Sequence, residues 1–330
     1  MLVFDTDSTC PLKQHMAQAY LARVQRASIR VLYKKCMTGT DIPSEVRGAL
    51  LNPKRQLGKY VLVSALGRGG MAEVWKAWDG ELSRWVAVKF MLAPDSDDDV
   101  KRFQREAQAV ARLAHPNIAA IYDTGQHDER RYIVMQYIDG KTLEGGRLPL
   151  KQTVSAVRDA ARAVHYAHEH GIIHRDVKPG NLMVDVAGRV FILDFGLART
   201  TTAESNVSLS GMIIGTPAYM APEQAAGRIH ELDARTDVYG LGATLYSLVS
   251  GRAPFDASTP GEIPHMVVHE EPESIRRLQP DVPSDLATII GRAMEKDSNR
   301  RYPSAAHLAD DRSEERRVGK ECRSRWSPYH

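Results

Sequence analysis

The hydrophobic period of this chain changes once, and that change bounds what it can fold into. From Tyr60 to Tyr137 apolar residues mostly alternate, which predicts strands over Tyr60–Leu66, Ala72–Trp78, Trp85–Met91, Ile118–Asp123 and Tyr132–Tyr137. One helical stretch, Lys101–Ala114, interrupts them, and after Gly140 the spacing is mostly helical, with Leu150–His170 and Thr236–Ser250 the longest segments. Strands first and helices afterwards imply an α+β, bilobed architecture: a β-rich lobe over residues 60–138 and a mainly helical lobe over 139–311.

Residues 1–59 read as an N-terminal extension. Pro11 can open a helix on which Met16, Tyr20, Val24, Ala27 and Val31 form one apolar stripe. Such a helix lies on a membrane surface or packs on a protein body; packing is favoured because strong apolar anchors are missing. Pro43 and Asn52–Pro53 then punctuate a connector.

Charge excludes a nucleic-acid footprint. Of 44 Lys+Arg and 41 Asp+Glu, six and three fall in Arg312–His330, which leaves 38 of each and a neutral body. Val238–Gly251 is too short to span a bilayer, and Ser205–Pro222 is broken by Ser, Gly and Pro. Cys10, Cys36 and Cys322 show no paired spacing, and no secretory signal opens the chain, so a cytoplasmic location is expected.

Four segments carry chemistry. Gly67-Arg68-Gly69-Gly70-Met71-Ala72-Glu73-Val74 lies between two strands, where glycines let backbone N–H groups approach phosphates, although a tight hairpin explains the same residues. Lys89, in Val86-Ala87-Val88-Lys89, sits among strand apolars where an unpaired charge is costly; Glu106 is its candidate partner. His174-Arg175-Asp176-Val177-Lys178-Pro179-Gly180-Asn181 is far more specific, because it offers a base, a cation and a metal ligand in one loop. Asp194-Phe195-Gly196 adds a second carboxylate, and two oxygen ligands plus bridging phosphates suit Mg²⁺. His165, His168 and His170 have no cysteine or clustered carboxylate beside them and read as structural histidines.

In this order the motifs resemble the eukaryotic-like Ser/Thr protein kinases of bacteria, over Tyr60 to Asp311 and including Gly215-Thr216-Pro217-Ala218-Tyr219-Met220-Ala221-Pro222-Glu223-Gln224. The resemblance implies the bilobed protein-kinase fold and transfer of the ATP γ-phosphoryl to protein Ser or Thr hydroxyls, with ATP and Mg²⁺ as cofactors and protein substrates as partners. It implies Asp176 as the base toward the acceptor hydroxyl, Lys178 as stabiliser of the transferred group, and Asn181 and Asp194 as Mg²⁺ ligands. Lys89 and Glu106 would position the nucleotide, with Leu66, Gly67, Arg68, Gly69, Gly70, Val74, Ala87, Met135, Gln136, Ile138 and Met183 around it. Thr216 would favour a Ser or Thr acceptor, Glu223 would pair with Arg301, and Asp237, opening the helix Val238–Val249, would cap the catalytic-loop backbone. Arg175 would receive a phosphate on Ser208 or Ser210, so autophosphorylation, a homodimer to carry it out and a signalling role are expected.

The sequence departs from the family pattern at Ala72, where a third glycine is usual, and at Gln136, where Glu is usual. A nucleotide-binding scaffold and a small-molecule phosphotransferase are rival readings; the intact catalytic positions weigh against the first and the intact Gly215–Glu223 segment against the second. Arg312–His330 breaks the apolar spacing and resembles the in-frame translation of a sequencing-library adapter. It is expected to be foreign to the natural protein and to cut the last helix short, leaving open membrane anchorage through whatever naturally follows Asp311.

Overall fold

The computed structural model describes residues 42–68, 72–91, 97–127, 130–195, 217–259 and 261–311, with backbone only for 97–103. Gly69, Gly70, Ser208, Ser210, Thr216, the stripe from Met16 to Val31 and Arg312–His330 lie outside those residues. The chain divides into two compact units; Tyr122–Tyr137 belongs with the residues up to Ala93, and the second unit takes Pro94–Ile121 and the chain from Ile138 onward.

The first unit is built on a sheet of six strands, β1 (Gln56–Leu57), β2 (Tyr60–Arg68), β3 (Ala72–Asp79), β4 (Arg84–Met91), β5 (Ile121–His127) and β6 (Arg130–Gln136), in the order β1-β2-β3-β4-β6-β5. Successive side chains of a strand point to opposite faces, so the register decides which residues share one. Val74 pairs with Lys89 and Lys89 with Ile133, while Ala87 pairs with Met135. Val74, Ala87, Lys89 and Met135 therefore lie on one face. The alternate positions Val86, Val88 and Val134 pack with Leu57, Tyr60, Leu62, Ala77 and Phe90 into a core on the other.

A short helix, α1 (Ser44–Leu50), covers one end of the Lys89 face: Val46, Ala49 and Leu50 pack on Val61, Val63 and Trp78, with Trp85 beside them. The stretch read as a connector from its prolines is thus helix and strand. Pro43 precedes the first helical turn, where a missing N–H costs nothing, and Asn52 caps the 3₁₀ turn Pro53–Arg55 by accepting the Lys54 N–H at 3.0 Å.

The second unit contains α2 (Asp97–Ala111), α3 (Leu150–Glu169), α4 (Pro222–Ala225), α5 (Ala234–Ser250), α6 (Ile263–His269), α7 (Ile275–Leu278) and α8 (Ser284–Ala293), with residues 305–311 helical as well. A small antiparallel sheet joins β7 (Gly140–Thr142), β8 (Leu182–Asp185) and β9 (Val190–Ile192). Helix α5 is the axle of this unit: eleven of its residues, Thr236 to Tyr246, are buried. Gly242 lets α8 come close, since a Cβ there would stand 2.7 Å from the Ala293 Cβ.

Two sequence readings shift. Ile118 and Ala119 were expected in a strand over 118–123, but they pair with Ile192 of β9, and the strand itself starts at Ile121. The same contacts, with Asn117 Nδ2 donating to the Val190 carbonyl at 2.7 Å, tie residues 117–119 to the second unit instead of the β-rich one. Helix α5 begins at Ala234, capped by Asp233 accepting the Arg235 N–H at 2.8 Å, so Asp237 lies inside its first turn and does not open it. Among the described residues no helix is long and apolar enough to cross a membrane.

Candidate active site

The loop after α3 concentrates polar side chains around Asp176. Its carboxylate Oδ2 lies 3.0 Å from Lys178 Nζ and accepts a hydrogen bond from Asn181 Nδ2 at 3.0 Å. Asn181 Nδ2 also donates to the Asp176 carbonyl at 2.7 Å, so this side chain closes the loop on itself. With its NH₂ turned to Asp176, Asn181 has its carbonyl oxygen left to offer a cation.

The loop backbone is held from below by Asp237. Oδ2 accepts the His174 N–H at 2.7 Å, and Oδ1 accepts the Arg175 N–H at 2.8 Å. The same Oδ2 lies 2.7 Å from His168 Nε2, which places one of the three histidines clustered at the end of α3 in the support of the loop. Both partners are almost fully buried. His174, itself wholly buried, turns Nε2 to the Leu193 carbonyl at 2.8 Å and packs its ring at a tilt against Phe195, with centroids 4.6 Å apart. Leu193 N–H in turn donates to the Asn181 main-chain carbonyl at 2.9 Å. These bonds bring the segment carrying Asp194 alongside Asn181. Two oxygen donors, an amide carbonyl and a carboxylate, fit a hard cation such as Mg²⁺, which keeps waters and substrate phosphates in its remaining positions.

Arg175 (φ 62°) and Asp194 (φ 53°) both adopt left-handed backbone, a conformation non-glycine residues avoid unless the surroundings impose it. A cavity of about 10 Å³, room for one water, is lined among others by Arg175, Asp176, Tyr219, Gln224 and Asp237.

Farther along, Glu223 is buried and accepts from both terminal nitrogens of Arg301 at 2.8 Å and from Thr236 Oγ1 at 2.9 Å. Burial would raise its carboxyl, but the Arg301 hydrogen bonds and charge outweigh that and hold it below the usual range. Ile138 and Met183 meet in an apolar cluster with Ala119, Phe191 and Leu193.

In the first unit, Gly67 pairs with Val74 across β2 and β3, and Val74 with Lys89 across β3 and β4, so the three stand in one row. Leu66, Gly67 and Arg68 end β2 as an exposed edge. Ala87 and Met135 are buried neighbours, and Gln136 closes β6 opposite Val86. Glu106 stands on α2, in the second unit. Sequence reasoning gave His168 no contact and Gln224 no role. Nothing in their spacing points to partners 69 and 49 positions away.

The model of the protein kinase domain matches residues 60–312. Serine/threonine-protein kinase PknB of Mycobacterium leprae is 39% identical over 273 residues, covering 79% of this chain and 44% of the relative. Serine/threonine-protein kinase PksC of Streptomyces coelicolor is 39% identical over 270 residues, covering 77% of this chain and 48% of the relative. The chain thus spans less than half the length of these two relatives. The crystal structure of the Mycobacterium tuberculosis PknI kinase domain superposes with a TM-score of 0.63 at 29% identity, over 78% of this chain and 97% of that one.

Proposed function

Since the chain belongs to the protein kinase domain family, matched over residues 60–312, we propose that it is an ATP-dependent protein serine/threonine kinase. The observation that carries the reading is the cluster of Asp176, Lys178 and Asn181 on a loop whose backbone is fixed by Asp237. Asp176 orients the acceptor hydroxyl and takes its proton, while Lys178, whose ammonium already lies against that carboxylate, balances negative charge on the group in transfer. Lys89, on the same sheet face as Val74 and Ala87, neutralises nucleotide phosphate oxygens while those two side chains offer apolar surface to the purine. Asn181 and Asp194 would hold Mg²⁺, which when bound neutralises charge on the ATP phosphates.

Autophosphorylation on the segment between Asp194 and Glu223, with Ser208 and Ser210 the candidates, is the regulatory part of the proposal. A phosphate there would gain charge-assisted hydrogen bonds from Arg175. Autophosphorylation in trans makes a homodimer an expected, transient partner, and a signalling role follows from a switch of this kind.

Incorporation of the ATP γ-phosphate into the protein itself and into a generic protein substrate tests the reading. Asp176→Asn should lower transfer about 10²- to 10⁴-fold with nucleotide affinity close to the parent's, whereas Lys89→Met should lose both. An Asp176→Asn preparation, free of contaminating kinase, that transfers phosphate at the parental rate would sink the assignment.

A further inference from the structure

Gln224 stands in α4, and its side chain joins two segments. Its Oε1 accepts the Ala221 N–H at 3.1 Å, closing the first turn of the helix. Its Nε2 donates to the carbonyl oxygen of Arg175 at 2.9 Å. The orientation of the amide is fixed by its partners, since a backbone N–H can only donate and a carbonyl can only accept.

The carbonyl it holds belongs to the peptide bond between Arg175 and Asp176. That peptide is planar, so its oxygen and its N–H move together. Gln224 grips the oxygen, and the N–H on the other side, that of Asp176, donates to His174 Nδ1 at 3.2 Å. The N–H of the preceding peptide is held by Asp237 at 2.8 Å. Between these grips lies Arg175 with φ 62°, a conformation that is costly for a non-glycine residue and persists only where the surroundings over-determine it. Removing the donor to the carbonyl takes one grip off this peptide and leaves the weaker one, the 3.2 Å contact of its N–H with His174, to set its plane. The plane is then less tightly fixed, and with it the backbone from which the Asp176 side chain extends.

We propose that Gln224 is a positioning residue for phosphoryl transfer: by clamping the Arg175–Asp176 peptide it makes the placement of the Asp176 carboxylate depend on the seating of residues 217–225. The inference rests on the reading of Asp176 as the base that acts on the acceptor hydroxyl. Its consequence is a direct mechanical link from the segment ending in α4 to the catalytic loop, through a side chain whose two hydrogen bonds run to the backbone of Ala221 and Arg175. Misplacement of a reacting group by about an ångström costs up to about 10²-fold in rate, which sets the scale expected here.

Gln224→Glu separates the two hydrogen bonds, because a carboxylate still accepts the Ala221 N–H but presents no donor to the Arg175 carbonyl. A residue that only caps α4 would be replaced by Glu without loss of activity. A positioning residue would lose about 10- to 100-fold in kcat, with KM for ATP within about twofold of the parent and thermal unfolding within a few degrees. Gln224→Met, close in shape and uncharged, removes both hydrogen bonds and should lower kcat by about the same 10- to 100-fold, which serves as the readout if the added carboxylate prevents folding. Parental kcat in a folded Gln224→Glu or Gln224→Met protein overturns the inference. Asp176→Asn assayed in parallel keeps the two readings apart: if it is inactive while the Gln224 variants are parental, the clamp alone fails, and if it is active, the role of Asp176 fails first.

Discussion

Glu223 and Arg301 stand 78 positions apart in the sequence and meet through two parallel hydrogen bonds of 2.8 Å, with both side chains buried. The remaining polar atoms of the pair are also engaged. Arg301 donates to the carbonyls of Glu295, Arg235 and Lys296 at 2.7, 3.1 and 3.1 Å, and Thr236 donates to Glu223 Oε1 at 2.9 Å. The pair fastens the start of α4 to the turn that precedes the last described helix, so one contact closes the lower part of the second unit.

Removing one partner should therefore cost far more than removing both. Glu223→Leu or Arg301→Met alone leaves a buried charge without its counter-ion, a loss of about 3–5 kcal/mol. The double replacement Glu223→Leu/Arg301→Met should recover a substantial part of that, because neither ion is left behind. Urea unfolding of the three variants measures it. A double variant as unstable as the sum of the singles would mean that the pair is not energetically coupled.

Acid should weaken the same contact, and the sign follows from Glu223. Its folded carboxyl is held below the range of an unfolded Glu, about 4.3, so its contribution is fully present above that value. The contribution is lost as pH falls through the folded pKa, when the proton that Arg301 keeps off finally binds. Asp233, whose carboxyl is lowered against its burial by Arg235, adds a loss of the same sign. Stability measured between pH 6 and pH 3 should fall more steeply for the parent than for Glu223→Gln. Parallel curves would show that another group governs acid unfolding.

Two glycines of helices should respond to alanine in opposite directions. In α5, a Cβ on Gly242 would stand 2.7 Å from the Ala293 Cβ and 3.0 Å from Met294 Cγ, neither of which can swing away from a packed helix crossing. Gly242→Ala should destabilise by about 1–3 kcal/mol through overpacking. A Cβ on Gly291 of α8 meets nothing within 4 Å, so Gly291→Ala should stabilise by about 0.5–1 kcal/mol through helix propensity alone. Thermal unfolding of both decides, and a destabilised Gly291→Ala would show that α8 packs more tightly on that side than its open surroundings imply.

The long elements were legible because they repeat their signal. β2, β3, β4 and α3 each carry several periods of alternation or helical spacing, and their observed bounds differ from the sequence reading by a few residues at most. Helix α1 has seven residues, fewer than two complete turns in all, and has proline before and shortly after it, so no period could emerge. The loop motifs around Asp176 name residue types, but not the hydrogen bonds that seat them. Those run largely to backbone atoms: the family resemblance anticipates Asp237 on the loop backbone, where it accepts the His174 and Arg175 N–H groups, but not Gln224 on the Arg175 carbonyl. A backbone partner leaves no residue type behind to be read, which is why Gln224 became visible only in three dimensions.

Helix α1 supplies the last prediction, because a boundary drawn at Tyr60 would cut through a core. Val46 is fully buried, Ala49 and Leu50 nearly so, and together they cover Val61, Val63 and Trp78. The adjoining strand β1 pairs Gln56 with Val61 and Leu57 with Tyr60, and Leu57, 2% exposed, belongs to the core on the opposite side of the sheet. Arg55 Nη1 donates to the Val63 carbonyl at 2.6 Å, and Gln56 Nε2 to the Leu50 carbonyl at 2.9 Å, so helix and strand are also bonded to the sheet and to each other. Each buried Val or Leu contributes about 1.5–3 kcal/mol, and three of them approach the whole stability of an ordinary domain, about 5–15 kcal/mol. A chain beginning at Tyr60 should therefore unfold at a much lower guanidinium concentration than the full chain, or fail to fold, whereas one beginning at Ile42 should keep most of the difference. Tryptophan fluorescence reports the change locally, since Trp78 and Trp85 stack edge to face at 5.1 Å beneath α1. Equal midpoints for chains starting at Ile42 and Tyr60 would show that α1 and β1 lend the sheet nothing.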